Sequence, residues 1–119
     1  MKSEDKLASA QALKGHLDTL LLATLQAGPA HGYAIIERLR LQSMGTFDLP
    51  EGTIYPALHR LELAGLLKSW WDETSTRRRR IYALTERGQV ALVQGTEQWR
   101  LFAQGVNALL FGKENPWPV

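Results

Sequence analysis

Residues 51–88 read EGTIYPALHRLELAGLLKSWWDETSTRRRRIYALTERG, and they carry most of the local signals that indicate the fold. It predicts a helix that Gly65 ends, two short strands joined by a polar turn near residues 73–76, and a further helix that starts at Thr85. Four consecutive arginines, Arg77 to Arg80, stand between the turn and the apolar alternation IYALT. The pattern therefore predicts a hairpin with an anchored base and a charged tip.

The first helix of this stretch has one narrow apolar face. At about 100° per residue, one side collects Ile54, Ala57, Leu58, Leu61 and Ala64. A proline is tolerated only near a helix N-terminus, so Pro56 predicts a start at residues 50–52. The opposite surface carries Thr53, Tyr55, Pro56, His59 and Arg60. Small and polar side chains near the start of an exposed helix are typical of a surface that enters a nucleic-acid groove, and these five are predicted to contact DNA.

Three other helices complete the organisation. Leucines at helical spacing predict one from His16 to Ala27, and a second is predicted from Gly32 to about Gln42. Thr85 is a suitable N-cap for a last helix that runs to about Phe111. That helix is about 40 Å long and carries an apolar heptad, with Leu92, Trp99 and Val106 at one position and Phe102 and Leu109 at the other. A helix of this kind outruns the small domain before it and is expected to pack against a second copy.

The predicted fold class is mainly α: a winged helix-turn-helix with a two-stranded β-wing and a long C-terminal dimerisation helix. The chain divides into an N-terminal helical extension (1–15), a DNA-binding domain (16–84), the dimerisation helix (85–112) and a tail (113–119).

Composition excludes several classes of protein. The 119 residues contain no cysteine, and three scattered histidines show no metal-ligand spacing, so no cofactor or metal is predicted. No paired carboxylates, glycine-rich phosphate loop or nucleophile with a placed base indicates an enzyme. The polar N-terminus and the lack of an apolar run of about 18 residues predict a cytoplasmic protein without a membrane span. The net charge is +2, yet residues 59–87 hold seven cations and four acids, which indicates a local surface for phosphates.

Three segments together resemble the PadR-like transcriptional regulators. They are LLLATLQAGPAHGYAIIERL (20–39), GTIYPALHRLELAGLL (52–67) and RRRIYALTERG (78–88), in winged-helix order. A single helix after the wing is similar to the family's smaller subgroup. The resemblance implies a homodimeric, ligand-responsive repressor that binds a pseudo-palindromic operator, with Tyr55 and Pro56 at the DNA surface. The turn before the arginines lacks the glycine that family wings often carry.

Each candidate site has two possible interpretations. The arginines, Arg77, Arg78, Arg79 and Arg80, form either a solvated charged turn or a wing that contacts the DNA backbone. Strand alternation places Arg78 and Arg80 on the Tyr82 side and the other two on the Ile81 side.

Trp99 is either a dimer-core residue or one wall of a pocket for a small planar aromatic effector, with Phe102 beside it and room left by Gly95. A winged-helix module that binds RNA or protein without operator specificity is the alternative to a double-stranded DNA regulator.

Overall fold

The computed structural model describes residue 13, residues 15–74 and residues 76–112. Within these residues the chain forms four helices and three strands in the order α1 (Leu17–Thr24), β1 (Ala30–His31), α2 (Gly32–Gln42), α3 (Glu51–Leu63), β2 (Leu67–Asp72), β3 (Arg79–Leu84) and α4 (Glu86–Phe111). Apart from residues 13 and 15, the predicted N-terminal extension lies outside the described residues, as does the predicted tail. No described helix is long and apolar enough to cross a bilayer.

The sheet has three antiparallel strands where two were predicted. Its order is β1-β3-β2, and the extra strand pairs Ala30 with Tyr82 and His31 with Ile81. A strand of two residues is too short to show the alternation by which strands are recognised in a sequence, and here it lies between Pro29 and the start of α2.

The core lies between α1, α2 and α3 and beneath the hairpin. Leu21, Ile35, Ile54, Leu58 and Leu61 are almost completely buried. Four of the five residues predicted for the apolar face of α3 are thus buried, whereas Ala64, the C-cap, is exposed. Gly65 ends that helix with a φ of 79°, a conformation that glycine adopts readily.

α1 ends earlier than predicted, at Thr24 rather than Ala27. The Arg38 guanidinium of α2 donates hydrogen bonds to the carbonyls of Thr24 and Gly28, at 3.0 and 2.9 Å. The Thr24 carbonyl is one that the helix end leaves without an intrahelical partner, and the Gly28 carbonyl belongs to the loop that follows. Arg38 therefore joins the end of α1 and this loop to α2.

α4 begins as predicted at Thr85, whose hydroxyl oxygen accepts a 3.0 Å hydrogen bond from the Gly88 amide. With 26 residues it is about 39 Å long. Its first turns pack on the body: a side chain at Gly88 would strike the Leu66 carbonyl oxygen, and Leu92 is only 5% exposed. The rest of α4 carries its large apolar side chains exposed.

α1 packs closely against α4 at Gly95. A Cβ atom built on Gly95 would lie 2.2 Å from the Thr19 hydroxyl oxygen of α1. The expectation that Gly95 leaves room beside Trp99 is therefore wrong. The glycine makes space for α1, because only a residue without a side chain allows the two helices this approach.

Candidate nucleic-acid interface

An open cleft lies between the wing and the start of α2. Its volume is about 510 Å³, and its lining consists of His31, Gly32, Tyr33, Tyr55 and the four arginines Arg77, Arg78, Arg79 and Arg80. Residues far apart in sequence thus meet on one concave surface. The cleft brings together Tyr55 and the wing arginines, which the sequence had singled out separately.

Tyr55 packs closely against the α2 N-terminus because the facing residue is a glycine. A Cβ on Gly32 would come within 2.5 Å of the Tyr55 ring. The ring is half-buried there, and that burial, together with the nearby Glu51 carboxylate, raises the pKa of the Tyr55 hydroxyl. Tyr55 therefore stays protonated at physiological pH and keeps a hydrogen-bond donor in the cleft.

One face of the hairpin carries Trp71, Arg78, Arg80 and Tyr82. Trp71 is the cross-strand partner of Arg80, so their side chains share a face. The guanidinium carbons of Arg78 and Arg80 lie 4.5 and 5.0 Å from the centre of the Trp71 ring. These contacts agree with the predicted alternation, because Arg78 and Arg80 lie on the same side as Tyr82.

Arg80 is also tied to α3. Its Nε donates to the Ser69 hydroxyl at 2.8 Å, and that hydroxyl donates to a Glu62 carboxylate oxygen at 2.5 Å. The same carboxylate oxygen lies 3.9 Å from an Arg80 Nη. Part of the charge of Arg80 is therefore balanced inside the protein.

The other hairpin face carries Trp70, Asp72 and Arg79. His31 of β1 reaches across this face, with its Nε2 at 3.0 Å from an Asp72 carboxylate oxygen. Hydrogen bonds from the Thr74 hydroxyl and from His31 lower the pKa of Asp72. This contact joins the short strand β1 to the outer end of β2, close to the base of the wing turn.

Trp70 and Trp71 face opposite ways, as adjacent strand residues do, but neither belongs to the core. They are 40% and 43% exposed. Both side chains stay partly exposed because this part of the hairpin extends beyond the helices.

The predicted contact residues of α3 do not all meet in the cleft. Thr53, Pro56 and His59 are exposed on the outer side of the helix, next to Tyr55 but outside the cleft lining. Arg60 instead points toward α1, where its two Nη atoms each donate a 2.8 Å hydrogen bond to the Asp18 carboxylate. This pair raises the pKa of Arg60, which stays charged but has a partner of its own.

The four residues predicted for the effector site or dimer core also lie in different surroundings. Leu92 is buried within its own chain and belongs to the core. Trp99 and Phe102 are 51% and 55% exposed, with ring centres 5.7 Å apart. Val106 is partly exposed one turn further along α4.

His16, which precedes α1, packs against both α4 rings, with its ring centre 5.0 Å from that of Trp99 and 5.8 Å from that of Phe102.

Several residues at the site escaped the sequence analysis. Trp71 could have been found, because the hairpin register places it opposite Arg80. Asp18, Glu62 and Ser69 gave no such signal, since their contacts join elements that are remote in sequence. Among the residues described, no group of three His, Asp or Glu side chains could hold a metal ion.

Comparisons with known proteins agree on one family. Residues 21–94 match the family model for the transcriptional regulator PadR-like family. The transcriptional regulator Rv3488 of Mycobacterium tuberculosis is 35% identical over 85 residues, which cover 71% of this chain and 74% of that protein.

Solved structures agree with this assignment. A transcriptional regulator from Clostridium thermocellum superposes with a TM-score of 0.78 at 32% identity, covering 84% of this chain and 98% of the other. PadR of Bacillus subtilis, solved in complex with operator DNA, has a TM-score of 0.60 at 24% identity and shares the fold over 66% of this chain and 45% of its own.

Proposed function

Because the chain belongs to the PadR-like family of transcriptional regulators, we propose that it is a sequence-specific repressor that binds double-stranded DNA as a homodimer on a pseudo-palindromic operator. The observation that carries the proposal is the cleft in which Tyr55 and four wing arginines face one concave space. Guanidinium groups pair with phosphate in a planar geometry, and a cluster of arginines on one hairpin gives the cleft a positive potential that attracts an anion.

The outer surface of α3 suits the major groove. Thr53 and Tyr55 lie in the first two turns of α3, where backbone amides and the helix dipole attract phosphate. Pro56 and His59 follow on the exposed side of α3. Neither side chain is large enough to keep the helix away from the bases. The proposal assigns phosphate contacts to Tyr55 and the wing, and base-edge contacts to the exposed α3 surface with His59 at its centre.

The outer half of α4 is the basis for the proposed homodimer. Trp99, Phe102, Leu109 and Leu110 are all exposed along this helix, and Leu109 is 89% exposed. An apolar surface of this extent on a small domain is typical of a protein interface. A two-fold axis would place the two α3 helices about 34 Å apart, so the half-sites should lie about 10 base pairs apart centre to centre.

Release by a small planar aromatic effector is the last part of the proposal. It rests on the exposed rings of Trp99 and Phe102, which a second copy would bring opposite their equivalents. Thr19 fills the space beside Gly95, so an effector site would lie between the two copies rather than within one chain.

Selection of bound duplexes from a random pool tests the core of the proposal. We expect an enriched sequence with two inverted half-sites about 10 base pairs apart. Enrichment of a single, asymmetric half-site would contradict the homodimer, and sedimentation of a monomer at micromolar concentration would do the same. No enrichment at all would contradict operator specificity.

A winged-helix module for RNA or acidic protein is the second candidate. It is favoured by one observation: Arg60, the α3 side chain best suited to guanine, is paired with Asp18, whereas the wing cations suit any polyanion. Titration with random duplex DNA, double-stranded RNA and an acidic peptide over a salt series separates the candidates. The proposed function requires the tightest binding with duplex DNA.

A further inference from the structure

We infer that Trp71 is a positioning residue that holds the Arg78 guanidinium ready for a phosphate. The inference rests on the proposed function and deepens it, because it names the side chain that prepares the wing for DNA. Trp71 is 43% exposed and contributes little to the core, so burial does not explain a large aromatic residue at this place. Its ring instead supports two guanidinium groups at once.

The two arginines on the ring differ in their other partners. Arg80 is held by Ser69 and by the Glu62 carboxylate, so the stack is anchored to α3. Arg78 is exposed and makes no ion pair with the residues that the structure describes. Of the two charges on the Trp71 face, that of Arg78 is therefore the one available to an external anion.

The physical advantage of the ring is preorganisation. The face of an indole carries negative potential, so it attracts a cation without neutralising it, unlike a carboxylate. It also offsets the repulsion between Arg78 and Arg80, which share one face of a short hairpin. A side chain that is already ordered loses less conformational freedom when DNA binds. Cation–π contacts at exposed sites correspond to about a two- to fivefold change in an equilibrium constant.

Trp70 provides a matched control. It is the neighbouring residue, has the same type of side chain and is 40% exposed, but it lies on the opposite hairpin face, across from Ile81. Removal of either indole costs the hairpin a similar amount of apolar surface. Only removal of Trp71 takes away the support of Arg78.

The test compares Trp71→Leu, Trp71→Phe, Trp70→Leu, Arg78→Ala and the double variant Trp71→Leu/Arg78→Ala in duplex DNA titrations over a salt series. Thermal unfolding of each variant shows whether it is folded. We expect Trp71→Leu to weaken binding about two- to fivefold, Trp71→Phe to restore most of the loss and Trp70→Leu to have no effect. Trp71→Leu should leave the salt slope unchanged, because the phosphate contacts remain, whereas Arg78→Ala should lower it by about 0.9. In the Arg78→Ala background, Trp71→Leu should add nothing.

Three results would overturn the inference. Binding unchanged in Trp71→Leu would remove it, and so would equal losses for the two tryptophan variants. A loss for Trp71→Leu that persists in the Arg78→Ala background would show that Trp71 acts by another route. If the unmodified chain shows no salt-dependent duplex binding, the proposed function fails and the inference falls with it, so the two failures are distinguishable.

Discussion

The wing and α3 both present arginine, but they hold it in different chemical surroundings. On the wing, Arg78 stacks on an uncharged indole and keeps its full charge for the cleft. On α3, Arg60 forms a bidentate pair with Asp18. An anion that binds Arg78 displaces no carboxylate among the residues that the structure describes, whereas one that binds Arg60 competes with Asp18. The number of cations on a surface therefore overstates its attraction for phosphate.

The largest effect is expected from the wing. Replacing Arg78 and Arg79 together with alanine should weaken duplex binding by about 10- to 100-fold at moderate salt and lower the salt slope by about 1.8, because two counterion-releasing contacts are lost. Arg60→Ala should change both quantities much less if its charge is balanced by Asp18. Titration of the three proteins over a salt series measures the contrast.

Lys68→Ala is the matched control for the wing, since Lys68 is an exposed cation on the same hairpin but outside the cleft. A loss for Lys68→Ala as large as that for the arginine pair would mean that net charge, not the cleft, attracts DNA.

The next effect concerns the α2 side of the cleft. Gly32→Ala would place a methyl group 2.5 Å from the Tyr55 ring and force the ring outward. We expect duplex affinity to fall about tenfold and the free energy of unfolding to drop by about 1–3 kcal/mol through overpacking. Equilibrium denaturation and duplex titration measure the two effects.

Gly52→Ala serves as its control, because a Cβ at Gly52 meets no atom within 4 Å. That variant should keep its stability or gain slightly, since alanine favours a helix more than glycine does. Equal damage from both substitutions would mean that the Tyr55 contact is not the cause.

A smaller effect of opposite sign is expected at α1. Asp18→Asn removes the acid that holds Arg60, so duplex affinity should rise about two- to fivefold and the salt slope should increase toward one additional contact. The cost in stability should stay below about 1 kcal/mol, because both side chains of the pair are about half exposed. Unchanged affinity in Asp18→Asn would show that Arg60 lies away from bound DNA.

The smallest effect is a pH dependence at the wing base. The pKa of Asp72 is lowered in the folded state, so its contribution to stability is present above the unfolded pKa and is lost as the pH falls through the folded pKa. Asp72→Asn should therefore have a slightly lower melting temperature than the unmodified chain at pH 7. The melting temperatures of the two proteins should converge as the pH falls into the acid range. A gap between the curves that stays constant with pH would exclude the carboxylate charge as its cause.

Local sequence signals predicted the elements well, because periodicity, Thr85 and Gly65 act within a few residues. α2, α3 and α4 occur essentially where those signals place them. The same signals missed β1, which has no periodicity, and the early end of α1, where the Thr24 carbonyl accepts a hydrogen bond from Arg38 of another helix. In the site, alternation assigned the arginines to two faces. The partners of Arg60 and Arg80 depended on tertiary packing, which brings Asp18 and Glu62 within reach.

The segment around the start of α1 has one further consequence. Within four residues it packs His16 on Trp99, pairs Asp18 with Arg60 and fits Thr19 against Gly95. A ligand bound at the α4 rings and DNA bound at the α3 surface would therefore both act on the same turn, at the start of α1. Thermodynamic linkage requires such an influence to be reciprocal: a ligand at Trp99 that loosens DNA must itself be bound less tightly by the DNA-bound protein, and by the same factor.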